Sequence, residues 1–108
     1  MNSAQLLESY IAAGAITQRM LDAARGEDWD ALLELSQERD ALFAQLMQAH
    51  PAAPTEPQQA AEMAARIRAI LAADQQIQGL TRTWMDEING VLSSVNVERK
   101  LLKAYESV

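Results

Sequence analysis

Residues 63–95 read MAARIRAILAADQQIQGLTRTWMDEINGVLSSV, and this stretch decides the fold. Hydrophobic side chains return in alternating steps of four and three residues. The stripe consists of Met63, Ile67, Ile70, Asp74, Ile77, Thr81, Trp84, Ile88, Val91 and Val95, and only Asp74 and Thr81 are polar. A heptad pattern sustained in this way is typical of a long helix that packs along one face. Because no proline follows Pro57, the sequence predicts a single long helix over residues 57–94.

Three further helices are predicted on either side of this stretch. The first covers residues 3–25, with Ser3 as its N-cap and Gly26 as its stop, and the second covers residues 28–49, capped by Asp28. The small polar residues of Ser93–Asn96 favour a break, after which a short fourth helix is predicted over residues 97–107. The sequence therefore predicts an all-α antiparallel bundle of four helices in one domain, residues 1–108, with a long third helix.

The composition excludes several classes of function. The chain has 108 residues, no cysteine and one histidine, which rules out disulfides, cysteine nucleophiles and thiolate or multi-histidine metal sites. Its net charge of −6 is concentrated in residues 1–56, with 3 basic and 9 acidic side chains, and this disfavours binding to nucleic acid. Neither a membrane-spanning run nor a signal-peptide pattern is present. We expect a cytoplasmic protein that binds other proteins and uses no metal or cofactor.

The long helix is predicted to be only half covered. A helix over residues 28–49 would reach from about Pro57 to Gln78 of an antiparallel neighbour and no further. The uncovered apolar side chains are Leu80, Trp84, Ile88, Val91, Leu92 and Val95. A stripe of this extent is more apolar than a monomer usually exposes. We therefore predict a partner-binding groove there, with Trp84 as its anchor because tryptophan is a frequent interface hot spot.

Two further features have more than one interpretation. The predicted fourth helix presents Leu101, Leu102 and Tyr105 on its apolar face and is too short to be stable alone in water, so it must dock, either as a brace or as a regulatory lid over the groove.

Asp74 interrupts the apolar stripe. It is either paired with an arginine or exposed to a partner, and it could also fix the register of the helices.

Four motifs in order suggest a family. Trp29–Leu32 has the form W-x-x-L, residues 70–80 read ILAADQQIQGL, Met85-Asp86-Glu87 follows, and Lys100–Tyr105 gives a K-x-x-x-A-Y ending. In this order and spacing they resemble the FliT-type flagellar export chaperones. The resemblance implies a chaperone that binds the filament-cap protein and delivers it to the flagellar type III export gate, with an export ATPase as a further partner. In some members it also implies inhibition of the master flagellar transcriptional regulator, and it implies that the fourth helix partly masks the binding face.

These considerations give a set of candidate binding residues. For the partner they are Ile70, Leu71, Asp74, Ile77, Leu80, Trp84, Glu87, Ile88, Val91 and Leu92, and for regulation Leu101, Leu102 and Tyr105. One alternative is a homodimeric scaffold in which the uncovered face pairs with itself. Another is a small all-helical enzyme of chorismate-mutase type, but that chemistry needs inward basic groups, whereas Arg66, Arg68 and Arg82 fall outside the apolar register. We therefore expect a protein that is not an enzyme.

Overall fold

The computed structural model describes residues 2–106, and they form three α-helices without any strand. The helices are α1 (Ser3–Arg25), α2 (Trp29–Gln48) and α3 (Pro57–Glu106). The prediction of an all-α fold is confirmed, whereas the prediction of four helices is wrong. The chain divides into two compact units, Met1–Gln78 and Gly79–Val108, so the boundary between them falls inside α3.

The start of α1 is fixed by Asn2 rather than by Ser3. The Asn2 side chain accepts a hydrogen bond from the Gln5 backbone N–H at 2.8 Å, and the Asn2 backbone N–H donates to the Gln5 side chain at 3.0 Å. This reciprocal pair is a capping box, which satisfies two backbone donors that the first turn would leave unpaired. Ser3 donates instead to the side chain of Gln59 on α3 at 3.1 Å. The prediction of Ser3 as the N-cap is therefore wrong.

The corner between α1 and α2 reverses the chain in three residues. The backbone N–H of Asp28 donates to the carbonyl of Ala23, and that of Glu27 to the carbonyl of Ala24, which is the Schellman pattern. Gly26 is the C-cap at φ −84°, so the left-handed conformation falls on Glu27, at φ 57°. Asp28 then accepts from the N–H of Ala31, which confirms it as the cap of α2. The corner places α1 and α2 side by side.

The core of the first unit lies between all three helices. Its buried cluster consists of Leu6, Leu46 and Met63, with Leu7, Tyr10, Phe43 and Ile67 packed against it. The Ser3–Gln59 bond joins the starts of α1 and α3, and Arg25 donates to Gln76 at 3.0 Å near the end of α1. Because these two contacts follow the same order along both helices, α1 and this part of α3 run in the same direction and α2 runs against them.

The helix α3 continues through the expected break at Ser93–Asn96. In a helix, a serine or threonine hydroxyl can donate to the carbonyl four residues earlier instead of disrupting the backbone. Ser94 does so to Gly90 at 3.1 Å, and Thr83 to Gly79 at 3.0 Å. With no proline in this part of the chain, nothing in the described residues forces an end before Glu106. Residues 97–106 therefore belong to α3, and the expected end at Ser107 lies outside the described residues.

Candidate partner-binding surface

The predicted binding residues of the first unit differ in burial and fall into three groups. Ile70 and Ile77 are buried and belong to the core. Leu71 is 56% exposed, although it is a large apolar side chain. Asp74 is half-buried and is occupied by an ion pair. A partner can therefore reach Leu71 directly, whereas Ile70 and Ile77 contribute to any site through the packing behind it.

Asp74 belongs to a polar network that links all three helices. Arg39 of α2 donates from Nη1 to Asp74 Oδ1 of α3 at 2.6 Å and to Thr17 Oγ1 of α1 at 3.1 Å. Thr17 is fully buried, and its hydroxyl donates to the carbonyl of Ala13 at 2.7 Å. Of the two interpretations of Asp74, pairing with an arginine is thus confirmed. Such a charged layer is the kind of contact that fixes the register of packed helices.

Arg39 was not among the residues that we singled out from the sequence, although the sequence contains a signal for it. Leu35, Arg39, Leu42 and Leu46 follow helical spacing, so Arg39 interrupts the apolar stripe of α2 as Asp74 interrupts that of α3. Two stripes that are each broken by one charge, of opposite sign, favour an ion pair between the two helices. Comparing the stripes of α2 and α3 would have revealed the partner.

A small surface pocket lies beside this network. Its volume is about 230 Å³, and it is lined by Tyr10, Arg39, Phe43, Ile67, Ile70, Leu71 and Asp74. The rings of Tyr10 and Phe43 pack in a tilted arrangement, with their centroids 6.4 Å apart and an angle of 56° between their planes. The pocket therefore combines apolar walls with one neutralised pair of charges.

The predicted residues of the second unit lie along one uninterrupted helix. Leu80, Trp84 and Ile88 are half-buried, whereas Glu87, Val91 and Leu92 are exposed. Leu101, Leu102 and Tyr105 are exposed as well, and Tyr105 is so by 81%. A contiguous set of exposed apolar side chains is a frequent mark of an interaction site. We refer to the apolar side chains of α3 from Leu80 to Tyr105 as the apolar face.

The continuity of α3 extends the apolar face beyond what the sequence alone led us to expect. Because the heptad steps pass without interruption from Val91 and Val95, they reach Leu102 and Tyr105, with Glu98 as the polar position between them. Leu102 and Tyr105, two of the three residues predicted to belong to a separate lid, therefore lie in register with the predicted groove, and Leu101 lies beside that register.

The charge is divided unevenly between the two units. Residues 1–78 contain 5 basic and 11 acidic side chains, whereas residues 79–108 contain 4 of each. The whole formal net charge of −6 is thus carried by the first unit. Within residues 2–106, no group of histidine and carboxylate side chains is arranged to hold a metal ion. The helices in this range also lack the combination of length and hydropathy that crossing a membrane requires.

The described residues thus form an all-helical protein with exposed apolar side chains along one helix. Residues 7–107 match the family model described as flagellar protein FliT, and the chain belongs to the FliT family of flagellar proteins. The resemblance drawn from the four motifs is thereby confirmed. FliT is a chaperone family rather than an enzyme family. No curated protein sequence and no solved structure gives a significant match.

Proposed function

We propose that this protein is a cytoplasmic chaperone of flagellar type III export, which binds the filament-cap protein and delivers it to the export apparatus. Membership of the FliT family supports the flagellar role. The single structural observation that carries the proposal is the apolar face, because a large exposed apolar surface is retained in a protein where a partner covers it.

The proposed client contact is a helix against a helix. An amphipathic segment of the filament-cap protein would lay its apolar side against Leu80, Trp84, Ile88, Val91 and Leu92. Trp84 is the proposed anchor, because it is the largest side chain of the face and is partly buried already. Glu87 is exposed beside this stripe and would contribute at the polar rim, where charges influence orientation more than affinity.

The last turns of α3 have two possible roles in this proposal. If α3 stays straight, Leu101, Leu102 and Tyr105 lengthen the client surface or bind the export gate and the export ATPase. If the chain bends at Ser93–Asn96, the same side chains fold back as the lid that the family resemblance implies. Inhibition of the flagellar master regulator remains a prediction from that resemblance and would use the same exposed residues.

The proposal is tested by calorimetric titration of a C-terminal segment of a filament-cap protein into the full chain and its variants. We expect Trp84→Ala to weaken binding by more than about 1 kcal/mol without loss of helical content. Leu33→Ala is the control, because Leu33 is an exposed leucine of α2 and does not belong to the apolar face. Equal affinities for the wild-type chain and Trp84→Ala would remove the apolar face from the proposal.

The lid is tested in the same titration by replacing Leu101, Leu102 and Tyr105 with alanine. Tighter client binding by this triple variant would identify the three side chains as a competing lid, since removing a competitor exposes the site. Weaker binding would identify them as part of the client surface. The measurement thus separates the two roles whichever way α3 behaves in solution.

A homodimer is the second candidate, and the heptad register favours it. Ile88 and Val95 occupy equivalent positions of successive heptads, and β-branched residues at one core position are typical of two-stranded coiled coils. A scaffold of this kind would be dimeric in sedimentation equilibrium and would not bind the filament-cap segment. A chaperone would lose any dimer as client is added, because both partners use the same face.

A further inference from the structure

We propose that the pocket beside the Arg39–Asp74 pair is a second docking site, separate from the apolar face, which takes one apolar side chain from a basic helical segment of a partner protein. The pocket lies wholly within residues 2–78 and is built by all three helices. It would add a contact that the proposed client binding along residues 80–92 does not use.

The volume of the pocket indicates the size of the group that can bind in it. Sites for small molecules and cofactors usually have volumes of about 300–1,000 Å³. This pocket, at about 230 Å³, is smaller and suits a single inserted side chain. Interfaces between proteins are often centred on one such anchor in a well-formed pocket. The proposed occupant is therefore a side chain of a protein, of leucine size, rather than a free metabolite.

The walls of the pocket select an apolar side chain. Tyr10 and Phe43 form its aromatic side, and Ile67, Ile70 and Leu71 form its aliphatic side. Leu71 stands at the opening with 56% of its surface exposed, although it lies one residue from the buried Ile70. An inserted side chain would cover this leucine, and burial of apolar surface stabilises a complex by about 25 cal/mol per Å² before the costs of association.

The polar part of the pocket does not favour an anionic partner. Among the described residues that line it, Arg39 is the only cation; its Nη1 already donates to Asp74 and Thr17, whereas its buried Nε has no hydrogen-bond partner. The side chain of Asp74 keeps 27% of its surface exposed, against 15% for Arg39. The charge that a partner meets at the opening is therefore weighted toward the carboxylate.

The net charge of residues 1–78 also favours a cationic partner. Residues 1–78 contain 11 acidic and 5 basic side chains, and of the basic ones Arg39 and Arg66 are paired with carboxylates. A unit with this excess of negative charge attracts cationic partners and repels anionic ones. Charge complementarity thus assigns the inserted side chain to a lysine- or arginine-rich helix.

The test uses the full chain and two synthetic amphipathic helical peptides, one built from leucine, alanine and lysine and the other with glutamate in place of every lysine. Affinities are measured by calorimetry, and the site is located by NMR from the methyl signals of Leu71 and the ring signals of Tyr10 and Phe43. We expect the lysine peptide to shift these signals and to bind about tenfold more tightly than the glutamate peptide at low salt.

Matched variants complete the test. Leu71→Gln should weaken the lysine peptide about tenfold, as expected for the loss of a contact at an interface centre. Leu33→Gln should leave it unchanged, because Leu33 is exposed to nearly the same degree, 59%, and does not line the pocket. Circular dichroism serves to check that both variants are folded. We expect both to fold, because the two replaced side chains are exposed.

Three results would overturn the proposal: equal effects of Leu71→Gln and Leu33→Gln, equal affinities of the two peptides, or peptide-induced shifts restricted to residues 79–106. Its failure is distinguishable from failure of the chaperone role. Trp84→Ala reports on binding along the apolar face and should not change the part of the affinity that depends on Leu71.

Discussion

Residues 2–78 bury their apolar side chains between three helical segments, whereas residues 79–106 leave most of theirs in contact with solvent. The heptad pattern is the same in both parts, since it runs from Met63 to Val95 without a change of register. The pattern therefore predicts which side of a helix is covered. It does not predict whether another helix of the same chain or another molecule covers it. In the first part α1 and α2 cover it, and in the second part we propose that a partner does.

The strongest test of this difference in burial is to truncate one apolar side chain in each of the two parts of α3. Ile70→Ala should lower the free energy of unfolding by about 2–5 kcal/mol, because Ile70 is 7% exposed and its loss leaves a cavity. Leu92→Ala should change it by less than about 0.5 kcal/mol, because Leu92 is exposed. Urea unfolding followed by circular dichroism measures both changes.

A large destabilisation by Leu92→Ala would contradict the comparison, since it would mean that this side chain is covered in the free protein. The most direct cause would be self-association, and the size of the effect would then depend on protein concentration.

The second prediction concerns the polar layer of the first unit. Asp74→Ala removes the carboxylate that pairs with Arg39 and leaves a mostly buried guanidinium without that counter-charge. We expect a loss of about 2–3 kcal/mol in the free energy of unfolding, less than for a fully buried pair because Asp74 is partly exposed. The measurement is again urea unfolding.

Arg66→Ala is the matched control for that variant. Its pair with Glu62 spans 3.8 Å, and both side chains are about half exposed. Pairs of this kind contribute roughly 0–1 kcal/mol. If Asp74→Ala and Arg66→Ala lowered the free energy of unfolding equally, the Arg39–Asp74 pair would contribute no more than an exposed ion pair. That result would contradict a role of this pair in setting the register of the helices.

The third and smallest effect is expected at Gly90. A Cβ atom built on this glycine has nothing within 4 Å, so alanine fits there and gains up to about 1 kcal/mol of helix propensity. We expect Gly90→Ala to slow amide hydrogen exchange in the turns around residue 90, while the urea midpoint that reports on residues 2–78 stays unchanged. Faster exchange around residue 90 would mean that the glycine is needed for a bend.

Much of the fold follows from the sequence for reasons that can be named. The absence of proline after Pro57 and the unbroken register predict α3, and Asp28 predicts the start of α2, because these signals act within one helix. The break at Ser93–Asn96 was predicted wrongly. Serine and asparagine can both favour non-helical backbone, but a serine hydroxyl can instead donate to the carbonyl of the preceding turn and stay within the helix, as that of Ser94 does.

The candidate site was predictable in part. The exposure of Val91 and Leu92 agrees with the length of α2, which is a local property, whereas Leu80, Trp84 and Ile88 are half-buried. The burial of Ile70 and Ile77 follows from their place in the part of the apolar stripe that α2 was predicted to cover, and the family motif alone would not give it. The pocket at Leu71 could not be predicted, since Tyr10, Phe43 and Ile67 come together only through the packing of three helices.

The uninterrupted course of α3 also affects how fast its C-terminal part can melt and re-form. The side-chain hydrogen bonds of Thr83 and Ser94 join residues four apart, so nothing distant in the sequence has to be found before they form. Helix and coil interconvert in about 0.1–1 μs in segments of roughly this length, far faster than a packed domain unfolds. We therefore expect residues 79–106 to lose and regain helical turns many times during one encounter with a partner. In the export role that we propose, rapid local melting would offer a route to client release that does not require the rest of the protein to unfold.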